Sequence, residues 1–312
     1  MKLRVTGLLL AALLLLGTAL PAFAADAADT EPLPDAEQAE VQTEETESET
    51  PFYLDGEPIS TFVYDSYDGN YYVTVESFLA ALCDESAVTE SRGVLTGEAV
   101  IRTETVEELD EETGTAAVEV TENTLTVAAT AGKQYVEANG RCLYVPKTVR
   151  LVNDQVALPI RTLAYLLNLK VSYDGHVQLT HVEGAQAFLL SAGWIYDSES
   201  LYWLSHIINA ESGNQTLEGK IAVGNVVMNR VRSSAFPNTI KAVIFQKNQF
   251  SPARSGSIYR TPNAESVVAA KLILEGVEVL PSALFFNAKG MNTYAARKRS
   301  YVTTIGAHAF YE

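Results

Sequence analysis

The chain has few cysteines and histidines, and this scarcity argues against several classes of enzyme. Its 312 residues include two cysteines, Cys83 and Cys142, and four histidines. Neither cysteine has a histidine near it in sequence, so no thiol nucleophile is indicated. His206 and His308 form no His-Glu-x-x-His pattern, which argues against a zinc peptidase, and no Gly-x-Ser-x-Gly sequence indicates a serine hydrolase. We therefore expect neither a metal nor another cofactor.

Long apolar runs are scarce as well, and the one that occurs stands at the N-terminus. A basic start is followed by apolar residues over 8–20 and by Ala22-Phe23-Ala24, which is typical of a cleavable secretory signal peptide. The apolar run of roughly 13 residues is shorter than the ~20 that span a bilayer. We expect residues 1–24 to be removed, leaving a secreted or cell-surface protein without a stable membrane span.

Export has a consequence for the cysteines, because thiols of exported proteins can be oxidised. A disulfide between Cys83 and Cys142 would close a loop of about 60 residues and add on the order of 4 kcal/mol of stability. Two separate buried thiols are an equally good interpretation, and the sequence leaves both open.

The whole chain has a formal net charge of −17, and basic residues are scarce outside its C-terminal part. Residues 25–51 contain ten acidic residues, no basic residue and almost nothing apolar, so we expect an acidic disordered linker. Residues 184–312 contain 12 basic and eight acidic residues. That balance suits an anionic polymer but not nucleic acid, because no basic cluster is denser than Arg297-Lys298-Arg299.

Residues 52–183 are predicted to form a small α+β domain with a faint internal repeat. Residues 71–75 alternate as a strand does and precede a short helical pattern over 76–82. The same order recurs at 156–160 and 161–167, which indicates two copies of a strand-helix unit.

The second half of this domain resembles a known family. Val156-Ala157-Leu158-Pro159-Ile160-Arg161 is followed by a hairpin pattern in which Asp174-Gly175 separates 171–173 from 176–179. These segments resemble the copper amine oxidase N-terminal-like domain of secreted cell-surface proteins. The resemblance implies a stalk or wall-associating module and not copper chemistry, since His176 and His181 lie far from any Cys or Met cluster.

Residues 190–312 are predicted to form a mainly helical domain with a loop-lined groove. Apolar residues recur at helical spacing, and helices are predicted to begin near residues 198, 217, 237 and 261. The first should end by Gly213, and Pro237 and Thr261-Pro262 should open the last two. Gly224 in the second helix is small enough to let another helix come close.

Glu211 continues the apolar stripe of the first of these helices, because the residues three, four and seven positions earlier are apolar. Burial raises the pKa of a carboxyl group, and an acid that stays protonated near neutral pH can donate to a glycosidic oxygen. A helix-end glutamate paired with Arg230 or Arg232 is the alternative. Spacing alone leaves both open.

Several motifs in order over residues 209–310 closely resemble the SleB/CwlJ cell-wall hydrolase family. They are Asn209-Ala210-Glu211-Ser212-Gly213, the run from Glu218 to Val231, Phe236-Pro237-Asn238-Thr239-Ile240, Gln249-Phe250-Ser251, Ala283-Leu284-Phe285-Phe286-Asn287 and Thr304-Ile305-Gly306-Ala307-His308-Ala309-Phe310. The resemblance implies a multidomain protein, in which a small α+β N-terminal domain precedes a mainly α lysozyme-like catalytic domain. The family's catalytic acid corresponds to Glu211.

The resemblance further implies cleavage of the β-1,4 bond between N-acetylmuramic acid and N-acetylglucosamine in peptidoglycan. As a lytic transglycosylase the chain would need only Glu211, which would act as acid and then as base and leave a 1,6-anhydro end. A hydrolytic muramidase would need a second carboxylate, ~5 Å away for retention or ~6.5–9.5 Å for inversion. Glu218 is one candidate, although a place in the first turn of the second helix, where the helix dipole stabilises a negative charge, suits it better. A non-catalytic glycan-binding protein remains open, as do vegetative wall turnover and spore cortex lysis.

We predict that six further residues contact the glycan: Ser212, Gln249, Ser251, Asn287, Tyr294 and His308. Tyr294 would stack on a sugar face. The Gln249-Phe250-Ser251 run is equally consistent with a packed turn, and a structural role is the alternative for His308. Peptidoglycan is the expected partner, nucleic acid is not, and no protein partner is indicated.

Overall fold

The computed structural model describes residues 51–106 and 118–312. The predicted signal peptide (1–24) and all but the last residue of the predicted linker (25–51) lie outside the described residues. The described part of the chain forms two compact units, which meet in sequence between Ala192 and Gly193.

The first unit is built mainly from strands. Its elements are β1 (Phe52–Leu54), β2 (Glu57–Pro58), β3 (Tyr64–Tyr67), β4 (Asn70–Thr74), α1 (Val75–Leu82), β5 (Glu85–Ser91), β6 (Val94–Val106), β7 (Val118–Thr130), β8 (Tyr135–Ala138), β9 (Arg141–Tyr144), β10 (Arg150–Val152), β11 (Gln155–Pro159), α2 (Ile160–Leu166), β12 (Leu169–Tyr173) and β13 (Val177–His181). The strands form three sheets, in the orders β5-β6-β7-β8-β9, β10-β11-β4-β3 and β12-β13-β1-β2.

The predicted repeat is confirmed, and its two copies meet in one sheet. β4 runs directly into α1 and β11 runs directly into α2. The two strands pair antiparallel, with Tyr72 opposite Pro159. The Thr74 side chain caps α1 by accepting from the Ser77 backbone N–H. Both helices then bury an apolar face in the same core, which includes Phe78 and Leu163.

The predicted hairpin is present with a loop one residue longer than expected. Tyr173 pairs with Val177, so the loop comprises Asp174, Gly175 and His176. Gly175 has a φ of +89°, a conformation that glycine adopts at no steric cost. His176 therefore lies in the turn and not in the second strand.

The cysteines remain thiols in this fold. Cys142 is buried in β9, Cys83 is partly buried at the end of α1, and no disulfide joins these two described residues. Burial raises the pKa of the Cys83 thiol to about 12. This thiol is therefore protonated and unreactive at neutral pH.

The second unit is mainly helical, and the predicted fold class is confirmed as a strand-rich N-terminal region followed by a helical C-terminal region. No helix in the described ranges has the length and apolar character needed to cross a membrane. The elements are α3 (Ala192–Ile195), α4 (Ser198–Ser212), α5 (Leu217–Arg232), α6 (Ile240–Ile244), α7 (Ser251–Ser255), a 3-10 turn (Ser257–Tyr259), α8 (Ala264–Leu274), β14 (Phe285–Ala288), α9 (Tyr294–Lys298), β15 (Tyr301–Ile305) and β16 (His308–Tyr311).

Two of the predicted helix starts are wrong because better caps follow them. The Thr239 side chain caps α6, so this helix begins three residues after Pro237. Asn263 caps α8 by accepting from the Ser266 N–H at 2.8 Å, and the helix begins after the predicted Thr261-Pro262 start. Asparagine is among the strongest N-cap residues, which explains the later start.

The end of the chain forms a three-stranded sheet in the order β14-β16-β15, and α9 lies between β14 and β15 in sequence. Two asparagines of α5 hold the segment before this sheet. The Asn225 side chain accepts from the Val279 N–H at 2.8 Å, and the Asn229 amide donates to the carbonyls of Leu280 and Ala283.

The close helix approach predicted at Gly224 is confirmed. A Cβ atom at this position would lie 2.3 Å from Cδ1 of Ile273 and 2.9 Å from Cδ1 of Ile208. These neighbours belong to α8 and α4, so Gly224 lets three helices pack against one another beside the last turn of α4.

We expect Gly224→Ala to lower the free energy of unfolding by about 1–3 kcal/mol, since its methyl group would overlap with two buried side chains. Gly193→Ala is the matched control, because its Cβ would meet no atom within 4 Å. The control should stay within about 0.5 kcal/mol of the wild type. Urea denaturation measures both variants, and equal losses would contradict the packing argument.

Candidate active site

Glu211 lies in the last turn of α4, and its carboxyl group is largely withdrawn from water. The same helix face carries Leu204, Ile207 and Ile208, all fully buried. This burial raises the pKa of Glu211 to about 7. The side chain makes no hydrogen bond or ion pair with any described residue. Glu211 is therefore an acid that remains partly protonated at neutral pH.

The alternative in which Glu211 pairs with an arginine is wrong. Arg232 forms its ion pair with Glu278. Arg230 donates from Nε to the carbonyl of Leu284 at 2.7 Å. No described carboxylate lies within ion-pair distance of Arg230, so the expected carboxylate partner is absent.

Aromatic rings occupy the space around the Arg230 guanidinium. Its centre lies 5.0 Å from the ring centroid of Phe236, 5.1 Å from that of Phe250 and 5.3 Å from that of Phe285. Burial lowers the pKa of Arg230 to about 10. The arginine therefore organises an aromatic layer by cation–π contacts and does not neutralise the acid.

The loop that follows Glu211 is fixed from two sides. The carbonyl of Gly213 accepts from the Asn263 side chain at 2.9 Å. The Gln215 side chain accepts from the Ala307 N–H at 3.0 Å. Glycine suits position 306, because its φ is +56° and a Cβ would lie 2.5 Å from Oε1 of Gln215, whose side chain would have to shift. The loop after the acid is thus tied to α8 and to the turn between β15 and β16.

A buried ion pair completes this attachment. Lys220 is almost fully buried, and its ammonium group donates both to the Gln215 carbonyl and to the carboxylate of Glu265. The pair joins the start of α5 to the start of α8 directly beside the loop. Neither Lys220 nor Gln215 was predicted to belong to the site. No sequence pattern connects them with their partners Glu265 and Ala307, which lie far away in the chain.

Ser212 does not have the predicted substrate-facing position. Its side chain is fully buried, and its hydroxyl donates to the Ile208 carbonyl at 2.8 Å within α4. Serine can satisfy a helix carbonyl four residues back, and doing so turns the hydroxyl away from solvent. Ser212 is therefore left out of the substrate-binding set.

Gln249 and Ser251 are both exposed and flank a buried phenylalanine. Phe250 is 5% exposed and packs against Phe286, with the ring centroids 6.2 Å apart. The packed-turn interpretation thus applies to the phenylalanine, while its two polar neighbours point outward. The ring contact also joins this segment to β14.

Asn287 and His308 lie on neighbouring strands, where Ala288 pairs with His308. The Asn287 amide is engaged within the fold, since it accepts from the Thr293 hydroxyl at 2.6 Å and donates to the Ala288 carbonyl. Tyr294, which was predicted to stack on a sugar face, begins α9 and is 60% exposed. Of these three residues, Tyr294 has the side chain most available to a ligand.

His308 is half-buried beside Phe286 and Phe310. Its ring meets Phe286 edge-on, with the centroids 5.3 Å apart. Its Nδ1 atom is buried and meets no hydrogen-bond partner among the described residues. Burial lowers the pKa of His308, so the imidazole is neutral at pH 7. Phe250 packs against Phe286, and Phe286 packs against His308. The predicted groove residues beside these rings therefore lie at the sheet β14-β16-β15. The loop that follows Glu211 contacts the same sheet at its β15–β16 turn.

The described residues contain no group of three or more His, Cys, Asp or Glu side chains arranged to hold a metal ion. The chemistry available at this position is that of one partly buried carboxyl group, followed by a loop that contacts the turn between β15 and β16. Proton donation and acceptance by Glu211 are the reactions that such an arrangement supports.

Both predicted family resemblances are confirmed by comparison with known proteins. Residues 214–311 match the family model described as Cell Wall Hydrolase, and residues 106–182 match the model described as Copper amine oxidase N-terminal domain. The first match begins three residues after Glu211.

Curated relatives named spore cortex-lytic enzyme share this C-terminal region. The protein of Bacillus cereus is 31% identical over 116 residues, which are 37% of this chain and 45% of that protein. The protein of Bacillus subtilis is 28% identical over 118 residues, which are 38% of this chain and 39% of that protein. The chain thus spans less than half the length of these relatives.

Two solved structures are also similar in sequence. The catalytic domain of the germination-specific lytic transglycosylase SleB from Bacillus anthracis is 28% identical, with 39% of this chain and 100% of that chain covered and a TM-score of 0.36. The catalytic domain of the Bacillus cereus SleB protein is 30% identical, with 38% and 92% covered and a TM-score of 0.36.

The raised pKa of Glu211 predicts a pH-dependent cost to folding. The folded state holds the proton up to about pH 7, whereas the unfolded chain releases it near 4.5. Stability is therefore lost as pH rises between these values. We expect Glu211→Gln to match the wild type near pH 4 and to exceed its free energy of unfolding at pH 8 by about 1–3 kcal/mol, discounted for partial exposure.

Urea denaturation across this pH range measures the difference between the two proteins. Glu218→Gln is the control, because Glu218 is exposed in the first turn of α5. A constant difference between Glu211→Gln and the wild type at all pH values would show that the carboxyl group is not withdrawn from water.

Proposed function

We propose that the C-terminal unit, Gly193–Glu312, cleaves the glycan strand of peptidoglycan at the β-1,4 bond between N-acetylmuramic acid and N-acetylglucosamine. The observation that carries this proposal is the partly buried carboxyl group of Glu211, which has no ion-pair partner among the described residues and whose pKa burial raises to about 7. Such a group can supply a proton to a glycosidic oxygen near neutral pH. The cell-wall hydrolase match over residues 214–311 and the relatives' printed names support the same substrate.

In the proposed mechanism Glu211 acts twice. The protonated carboxyl group first donates its proton to the glycosidic oxygen, and the bond from that oxygen to the muramic anomeric carbon breaks. The resulting carboxylate then accepts the proton of the muramic 6-hydroxyl while the hydroxyl oxygen attacks the anomeric carbon. A 1,6-anhydro end forms, and water is not consumed.

The engagement of the other acidic side chains favours this single-carboxylate route. Within the fully described range Gly193–Glu312, six of the eight acidic residues have a partner: Asp197, Glu199, Glu265, Glu275, Glu278 and Glu312. Glu218 alone joins Glu211 in having none, and it is exposed. A hydrolytic muramidase that uses Glu218 as its second carboxylate is therefore the second candidate.

We further propose that Gln249, Ser251 and Tyr294 contact the glycan, because all three side chains are exposed. Asn287 and His308 would form the floor of the same groove, since their polar groups are more enclosed. The neutral state of His308 suits hydrogen bonding to sugar hydroxyl or N-acetyl groups and not ion pairing with the peptide stems.

The site of action is proposed to be extracellular, at the vegetative wall or in the spore cortex. Peptidoglycan would be the partner, and the first unit would serve as a wall-associating stalk. A chain that binds wall glycan without cleaving it is the non-enzymatic alternative, and the products of digestion separate it from the enzyme.

Mass spectrometry of fragments released from purified vegetative peptidoglycan and from spore cortex tests the reaction. We expect wild-type protein to release anhydro-muramic ends, and Glu211→Gln to lower the rate about 100- to 10,000-fold, the range for loss of a general acid–base. Glu218→Gln is the matched control and should retain most of the wild-type rate with unchanged products.

Other products would lead to other conclusions. Reducing ends that disappear in Glu218→Gln would establish the hydrolytic muramidase. Release of no fragments from either material would reject glycan cleavage and leave the binding protein.

The pH dependence gives a second test of Glu211. The proton donor must be protonated, so we expect kcat/KM on peptidoglycan to fall above about pH 7, approaching tenfold per pH unit, as the carboxyl group ionises. Initial rates between about pH 5 and about pH 9 measure the profile. A rate that stays constant through pH 8 would contradict the role of Glu211 as the acid.

A further inference from the structure

Four aromatic side chains gather around the N-terminal half of α4, and none of them is among the groove residues named above. Tyr202 and Trp203 belong to α4, Phe245 follows α6, and Tyr259 ends the 3-10 turn. The Trp203 ring is central, with centroids 4.8 Å from Tyr202, 5.1 Å from Phe245 and 6.2 Å from Tyr259. These four residues are called the aromatic cluster.

Three rings of the aromatic cluster are exposed to solvent, and Trp203 at its centre is partly buried. Tyr259 is 60% exposed, Tyr202 is 44% exposed and Phe245 is 40% exposed. The three rings come from different elements, so their convergence gives one contiguous surface and not scattered apolar residues. A contiguous exposed apolar surface is a feature of ligand-binding and interaction sites, whereas scattered exposed apolar residues need no such explanation.

Charged groups border the aromatic cluster. The ammonium group of Lys241 lies 5.4 Å from the Trp203 ring centroid and 2.8 Å from the Glu199 carboxylate. The Trp203 indole N–H also donates to Glu199, at 3.3 Å. Flat rings with a polar rim suit a ligand that has both apolar faces and hydroxyl groups, as a pyranose ring does, better than they suit a wholly apolar protein surface.

The position of the aromatic cluster relates it to Glu211. Trp203 and Glu211 lie on the same helix eight residues apart, which is about 12 Å along its axis. The Nδ1–H of His206 donates to the Ile258 carbonyl at 2.6 Å and fastens the 3-10 turn onto α4. The short segment from Gln249 to Tyr259 therefore leads from the proposed groove to the aromatic cluster.

We infer that the aromatic cluster is a second glycan-binding site, which stacks on sugar rings of the same strand more than one ring away from the bond that Glu211 cleaves. This inference rests on the proposed function. The glycan is favoured as occupant by its alternation of apolar ring faces and hydroxyl groups, which matches exposed rings bordered by the polar Glu199–Lys241 pair, and by the position of Trp203 on the helix that carries Glu211.

Retention on insoluble peptidoglycan tests binding without cleavage. The whole chain carrying Glu211→Gln is compared with the same protein carrying Tyr259→Ala or Phe245→Ala in addition. We expect each second change to weaken retention about five- to tenfold, the effect of losing one aromatic contact. Tyr301→Ala is the matched control, because Tyr301 is 61% exposed and lies outside the aromatic cluster.

Thermal melting of each variant shows whether it is folded, and only folded variants are compared. Unchanged retention in both Tyr259→Ala and Phe245→Ala would overturn the inference, as would an equal loss in Tyr301→Ala or no retention of Glu211→Gln itself. Sedimentation equilibrium measures the molar mass in solution. If a variant changes this mass and leaves retention unchanged, the surface is a contact with a second copy of the chain, and the inference is overturned too.

Cleavage rates separate this inference from the proposed function. With Glu211 intact, we expect Tyr259→Ala to lower kcat/KM on long glycan strands about five- to tenfold and to leave it unchanged on fragments with a single cleavable bond. Equal losses on both substrates would overturn the second site. If the wild type cleaves neither substrate but Tyr259→Ala still weakens retention, the proposed function fails and the binding site stands.

Discussion

Withdrawal of one carboxyl group from water, with no cation beside it, is the condition around which the C-terminal unit is arranged. Glu211 stands on the same face of α4 as Ile207 and Ile208, so the packing that builds the core also desolvates the acid. The close approach of helices at Gly224 presses this face together. A looser interface would admit water and return the carboxyl group to its ordinary pKa.

The arrangement also depends on where the cations go. Arg230 is buried among phenylalanine rings and Arg232 is paired with Glu278, while Lys220 is held by Glu265. Each of these three residues belongs to α5, the helix that follows the acid in sequence. Their engagement elsewhere keeps Glu211 protonatable, and the same contacts fix the loops that surround it.

The parts of this fold that follow from local pattern could be predicted from the sequence. The strand-helix repeat, the limits of α4, the start of α5 and the apolar stripe beneath Glu211 depend on spacing within one element. The start of α8 could not be predicted correctly, because two neighbouring caps competed and Asn263 prevailed. The contact of Gln215 with Ala307 joins residues far apart in sequence, and no local pattern encodes it.

Sequence distance also explains why the aromatic cluster has no counterpart among the predicted site residues. Its rings come from α4, the end of α6 and a 3-10 turn, and only the folded chain brings them together. The predicted acid and these rings nevertheless share one helix. Because α4 is a rigid element, a glycan held on Trp203 and Tyr259 would be held at a fixed distance from Glu211. Glycan binding would then position the strand for proton transfer by Glu211 through the fixed geometry of α4, without any movement of the aromatic cluster relative to the acid.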